Sequence, residues 1–265
     1  MSTQAQEIKI DRLNVKIFEN RRLMGIEAAQ TVAAKIRELQ KTQETIHIIF
    51  ASAPSQNEFL EVLMQEKDIA WEKINAFHMD EYVNLPGDAP QSFGHFLKVR
   101  LFDHVPVGQV FYLNGNATDI EAECKRYADL LIKYPTDIVC LGIGENCHLA
   151  FNDPHVAFFN DPLIVKQVEL DTPCRQQQVN DECFDTFEDV PTHALTITIP
   201  ALLKAKYAYA MVPGTKKAEA IQHTLEDDIQ EAYPSTVLRN HPNVTLFIDK
   251  DSAGKLREIS SYSQA

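Results

Sequence analysis

The sequence predicts an α/β protein: a single-domain three-layer fold on a mainly parallel, doubly wound (Rossmann-like) sheet. Three observations predict it. Short apolar runs alternate with longer amphipathic stretches, the pattern of strands joined by crossover helices. One apolar run ends in Gly142 and Gly144, where a buried strand can turn sharply. No linker, low-complexity run or fixed-period repeat divides the 265 residues, a length within reach of one α/β domain.

Taken in order, VKIF (15–18) reads as a strand ahead of a helix over 21–41, and TIHIIF (45–50) as a strand ahead of a helix over 57–66. INAFHM (74–79) precedes a helix over 91–102, and QVFYL (109–113) precedes DIEAECKRYADLLIKY (119–134). DIVCLGIG (137–144) feeds a loop carrying His148. LIVKQVEL (163–170), HALTITI (193–199), AYAMV (208–212) and VTLFID (244–249) supply the later strands. Residues 1–14 and 255–265 are expected to be loosely held ends of the single domain 1–265.

Composition narrows the function. A hydrophobic content of 45% supports a large core. With 25 Lys and Arg against 38 Asp and Glu, the net charge of −13 repels a phosphate backbone and argues against sequence-independent nucleic-acid binding. No stretch approaches the length of an apolar membrane span, and the polar start MSTQAQEIKID lacks a signal-peptide core, so a soluble cytoplasmic protein without membrane partners is expected. Five cysteines without CxxC spacing suggest neither a disulfide framework nor a metal site, and no cofactor is implied. Cys147 and His148 are sequence neighbours, which seldom point at one another as a nucleophile and its base must.

The chemistry concentrates at two strand ends. LGIGENCHLAFNDP (141–154) delivers His148 and Asp153 just past an apolar strand, and INAFHMDEYVNLP (74–86) delivers Asp80 and Glu81 past another. Open α/β sheets bind ligands at such carboxyl ends. Met79-Asp80-Glu81-Tyr82 and the GxGxxxHxAFNxP pattern from Gly142 to Pro154 resemble the glucosamine-6-phosphate deaminase (isomerase) family. The resemblance runs through QSFGHFLKVRLFDHV (91–105), LNGNATDIEAECKRY (113–127), VPTHALTITIPALLKA (190–205) and PGTKKAEAI (213–221).

That resemblance implies an enzyme that converts an amino-sugar phosphate to a ketose phosphate and ammonia, by ring opening, C2 to C1 proton transfer and loss of the amine. Asp80 matches the base that takes the C2 proton, and His148 matches the histidine that moves a proton to or from the ring oxygen. Asp153 stands where the family has a glutamate that holds this imidazole. Asn146 departs from the family, which has an aspartate there; an amide cannot supply the charge that stabilises imidazolium, and Glu145 next door is the candidate substitute.

Lys217 matches the family's phosphate lysine. The glycine- and threonine-rich phosphate turn is replaced by Ala51-Ser52-Ala53-Pro54-Ser55-Gln56, leaving Ser52 and Ser55 as donors. The family arginine falls at Glu182, so Arg175 and Arg239 are the candidate replacements. Residues 155–165 lack the basic cluster of an allosteric phosphate site, and a homo-oligomer is left open. The expected partner is a small sugar phosphate. Two rival readings are a 6-phosphogluconolactonase-type hydrolase, in which His148 serves water attack, and a sugar-phosphate-binding module without efficient catalysis.

Overall fold

The computed structural model describes residues 5–257. The chain begins with β1 (Gln6–Ile10) and β2 (Leu13–Phe18), an antiparallel hairpin whose turn uses Asp11 at φ 52. Residues 6–14 are thus an edge hairpin rather than a loose end, because Ile8 and Leu13 are buried against the core; residues 1–4 and 258–265 lie outside the described residues. Next come α1 (Arg21–Leu39), β3 (Ile46–Phe50), α2 (Asn57–Leu63), β4 (Ile74–His78), β5 (Asp80–Tyr82) and α3 (Phe93–Leu97). The remainder is β6 (Gln109–Phe111), α4 (Ile120–Lys133), β7 (Ile138–Leu141), β8 (Val165–Glu169), α5 (Thr172–Asn180), β9 (His193–Ile197), α6 (Ile199–Leu202), β10 (Tyr207–Val212), α7 (Ala218–Glu226) and β11 (Val244–Asp249).

Eight strands form one sheet in the order β1-β2-β11-β10-β7-β3-β4-β6, parallel except for β1. Alternation along β3 explains the layering. Ile46, Ile48 and Phe50 enter the core shared with Val32, Ile36 and Leu60 of α1 and α2. Ile49 enters the opposite core with Tyr127 of α4 and Ile221 of α7. Helix α1 starts where Asn20 Oδ1 accepts the Leu23 N–H at 3.0 Å, a cap worth about 1 kcal/mol.

The strands expected at 163–170 and 193–199 exist but do not join this sheet. They form β8 and β9, antiparallel to each other and to β5 in a three-stranded sheet of order β5-β9-β8. β4 ends at His78, whose ring bridges to the start of β5. Its ring is fully buried; Nδ1 donates to the Asp80 carbonyl at 2.8 Å and Nε2 accepts the Leu113 N–H at 2.9 Å. These two bonds require the neutral imidazole, and burial accordingly lowers its pKa. The helix expected over 91–102 is α3 followed by a π turn over Lys98–Phe102.

The parallel strands β3 and β7 are neighbours, yet the chain runs from β3 toward one edge through β4 and β6, and from β7 toward the other through β10 and β11. Their carboxyl ends are therefore a topological switch point, where an open α/β sheet leaves a crevice.

Candidate active site

A cavity of about 330 Å³ lies at that switch point. Ser52 and Ser55 reach it from the end of β3, Asp80 from β5, Gly142, Gly144 and His148 from the end of β7, and Lys217 from the turn after β10. Residues as far apart in sequence as Ser52 and Lys217 are brought together because these loops gather at the carboxyl ends of the parallel strands.

The two carboxylates after β4 have separate duties. Glu81 accepts hydrogen bonds from the N–H groups of Tyr82 (2.9 Å), Phe93 (3.1 Å) and Gly94 (2.9 Å) and from Ser92 Oγ (2.8 Å), so it anchors the start of α3. Asp80 is buried at the cavity wall and its carboxylate accepts no hydrogen bond from the described residues. Burial, reinforced by the Glu81 charge, pushes the Asp80 carboxyl well above the usual carboxylate range. The carboxylate is left unpaired at the cavity wall.

The loop after β7 holds the imidazole. Gly144 N–H donates to the His148 carbonyl at 2.9 Å and Gly144 O accepts the Cys147 N–H at 3.1 Å. A Cβ on Gly144 would sit 2.3 Å from the His148 Cε1 and Nε2 atoms, so only glycine lets the ring lie across the turn. Cys147 keeps this turn at φ 70, in the left-handed region that glycine enters more easily. Its buried thiol faces the Ala220 carbonyl at 3.8 Å, an orientation unsuited to a dyad with His148.

Asp153 is the orienting carboxylate: its Oδ1 lies 2.9 Å from His148 Nδ1. Burial acts to raise the Asp153 carboxyl, but the bond and charge of His148, with help from Asn146 and Cys174, outweigh it and hold the group below its usual value. Asn146 carries no charge, yet it keeps contact with both members of the pair. Asn146 Nδ2 donates to the same Asp153 oxygen at 3.0 Å, and its Oδ1 accepts the His148 N–H at 3.2 Å. The amide clasps the pair through hydrogen bonds alone. Glu145 makes no hydrogen bond to His148 among the described residues; its N–H donates to Gln177 Oε1 at 2.8 Å, so it does not substitute for the family aspartate.

At the other end, Ser52 Oγ is buried without a hydrogen-bond partner among the described residues. Ser55 Oγ accepts from Gln56 Nε2 at 3.0 Å, which leaves its own hydrogen free. Lys217 is 8% exposed and its ammonium has no hydrogen bond or ion pair among the described residues. Burial draws its pKa down against the attraction of Asp181 and Glu145. Asp249 holds this turn by accepting the Gly214 N–H at 3.0 Å, with Gly214 at φ 95. These are the groups an anion would satisfy.

Two arginine expectations fail. Arg175 lies away from the cavity, where its Nη2 donates to the Phe187 and Val190 carbonyls at 2.8 and 2.9 Å and its guanidinium covers the Phe187 ring. Arg239 pairs with Asp11 at 2.7 Å and donates to the Asp227 carbonyl. Each ties loops together. The arginine that does line the cavity is Arg21 at the start of α1, clamped on Glu58 through Nε at 2.5 Å and Nη2 at 2.9 Å. Nothing but its place just after a strand marked it in the sequence. Gln177, Gln178 and Asp181 also line the cavity and were missed, since a polar helix of this kind carries no motif.

Among the described residues, His148, Asp153 and Cys174 bring ligand-type atoms within 4.8 Å of one another. A metal there would have to displace the proton shared by His148 and Asp153.

Comparison with known proteins agrees with this geometry. The family of glucosamine-6-phosphate isomerases and 6-phosphogluconolactonases matches over residues 19–247. A glucosamine-6-phosphate deaminase of Bacillus cereus (strain B4264) is 39% identical over 228 residues, covering 85% of this chain and 84% of the relative. That of Bacillus thuringiensis (strain Al Hakam) is 40% identical over the same coverage. Among solved structures, a monomeric glucosamine-6-phosphate deaminase superimposes with a TM-score of 0.83 at 31% identity, over 91% of this chain and 98% of that one. A 6-phosphogluconolactonase from Thermotoga maritima shares the fold, with a TM-score of 0.73 at 20% identity over 89% of this chain and 99% of that one. No helix among the described residues is long and apolar enough to cross a membrane.

Proposed function

The chain belongs to the family of glucosamine-6-phosphate isomerases and 6-phosphogluconolactonases, and from that premise we propose that it is a glucosamine-6-phosphate deaminase, which takes up water and releases ammonia as it converts the amino-sugar phosphate to a ketose phosphate. One observation carries the choice within the family: Asp80 is a buried carboxylate without a partner, facing the same cavity as the Asp153-held imidazole. Hydrolysis of a lactone needs one base to activate water. Moving a proton from C2 to C1 needs a second, and Asp80 is free to be it.

In this reading Lys217, Ser52 and Ser55 hold the phosphate, neutralising a dianion that the rest of an acidic protein would repel. His148 carries the proton to or from the ring oxygen, with Asp153 fixing the ring so that the nitrogen opposite Nδ1 serves the sugar. Asp80 then takes the C2 proton and returns it at C1, its raised pKa making it a better base than an exposed carboxylate. The test is direct: ammonia released from glucosamine 6-phosphate supports the assignment. Acid released from 6-phosphogluconolactone without ammonia from the amino sugar overturns it.

Three variants probe the parts. Lys217→Ala should weaken binding of glucosamine 6-phosphate about 10- to 100-fold, the loss of one charge-assisted contact, and leave the weak binding of glucosamine unchanged. Calorimetric titration with both sugars checks this, and equal losses would make Lys217 structural. Gly144→Ala should lower turnover about 10²-fold by driving the imidazole off Asp153, with the fold retained by circular dichroism. Wild-type turnover in that variant would show that the ring has another resting place. Asn146→Asp should lower turnover about tenfold, because it swaps a donor for a second carboxylate against a buried anion. A rise in turnover would mean that a second charge on the imidazole outweighs the lost clasp.

A further inference from the structure

Asp153 is 0% exposed, and its two oxygens are treated unequally. Oδ1 takes both hydrogen bonds, from His148 and Asn146, while Oδ2 is buried with no hydrogen-bond partner among the described residues. A buried anion with an empty acceptor site is costly, and interiors rarely leave one. The neighbouring donor is the thiol of Cys174, 1% exposed in the first turn of α5, whose sulfur lies within 4.8 Å of a carboxylate oxygen of Asp153 and a ring nitrogen of His148. Cys174 is held there by its own N–H, which Asp171 Oδ1 accepts at 2.8 Å.

We propose that Cys174 is a positioning residue of the active site: its thiol, within 4.8 Å of an Asp153 carboxylate oxygen, turns its S–H toward that carboxylate and so sets the orientation and basicity of the group that holds His148. The reading of Asp153 as held below its usual pKa, partly by Cys174, agrees with this. Burial and the Asp153 charge raise the Cys174 thiol well above its usual value, so it stays protonated and remains a donor. Cys174 shares α5 with Gln177 and Gln178, which line the cavity, so one helix supports the imidazole from behind and the ligand from the side. The charged and titratable groups around the pair are Asp171 at the cap of α5, Cys174 within α5, His155 and Glu145 from the flanking loops, Asp80 from β5 and Lys217 from the turn after β10.

The inference rests on His148 as the proton carrier, and its test has one readout that needs no turnover. The pH titration of the His148–Asp153 pair is followed by NMR of the labelled imidazole in the unliganded protein, for wild type, Cys174→Ala and Cys174→Ser, beside the pH–rate profile for ammonia release. Loss of a donor makes the carboxylate more basic and favours imidazolium, so Cys174→Ala should raise the midpoint by about half to one pH unit and lower kcat several-fold with KM little changed. Cys174→Ser, a stronger donor of similar shape, should bring the midpoint back to the wild-type value or below. Midpoints that stay put in Cys174→Ala, or move alike in both variants, overturn the proposal in favour of simple packing. A stoichiometric metal in purified wild-type protein that Cys174→Ala loses also overturns it, making the three side chains ligands. If the midpoints shift as expected but no ammonia is released, Cys174 keeps its role and the functional reading fails.

Discussion

Replacing Asp80 by asparagine is expected to lower ammonia release from glucosamine 6-phosphate by about 10²- to 10⁴-fold, because the amide has the shape of the carboxylate but cannot take the C2 proton. Binding should survive, since no hydrogen bond from the described residues ends on that side chain. The pH dependence makes the assignment sharper. Asp80 must be ionised to act, and burial with the Glu81 charge raises its carboxyl well above the usual range. Wild-type kcat/KM should therefore rise with pH through that raised value, and this limb should vanish in Asp80→Asn. Solvent-proton exchange at C2 should be lost as well. A variant keeping more than about a tenth of wild-type turnover would remove Asp80 from the role. Glu81→Gln is the useful contrast: Glu81 accepts four hydrogen bonds around the start of α3, so its loss should lower thermal stability before it touches chemistry.

The second large effect is expected at Asp153. In Asp153→Asn the amide can offer an N–H to His148 Nδ1, which forces the other tautomer and leaves the ring nitrogen facing the sugar protonated and unable to accept. Turnover should fall by about 10²- to 10⁴-fold, the scale seen when an orienting carboxylate of a catalytic imidazole becomes an amide. Folding should be kept, because the substitution also removes the cost of burying a charge in a site that is 0% exposed. Turnover at each pH together with circular dichroism separates the two. Near-wild-type turnover would mean that His148 needs no charged support, and the cavity would then be read as a binding site more than a catalytic one.

The strand and helix order was legible in residue patterns because burial on two faces selects unbroken apolar runs such as IHIIF and IVCL, and because helices need a buried stripe. Asp80, His148 and Lys217 were legible from motif resemblance, and the folded chain brings all three to one cavity. Other features depended on contacts that no local pattern encodes. The same apolar alternation served β8 and β9 whether they joined the large sheet or left it, and only their pairing with β5 decided which. Arg21, Arg175 and Arg239 carry the same guanidinium, yet only Arg21 lines the cavity; Arg239 instead meets Asp11 from 228 positions away.

Asn146 shows the boundary best. Its identity marked the loss of a carboxylate, but its function follows from where its amide points, onto an Asp153 oxygen 3.0 Å away that already holds His148. Sequence by itself determined the fold class, the order of elements and the types of chemical group at the strand ends, because those follow from hydrophobic periodicity and side-chain chemistry. Tertiary structure alone decided which of those groups are partnered and which are free. Hydrogen bonds and burial are set by distances of a few ångströms between residues far apart in the chain, and that freedom or partnership is what leaves Asp80 unpaired and makes Glu81 an anchor and Asn146 a clasp.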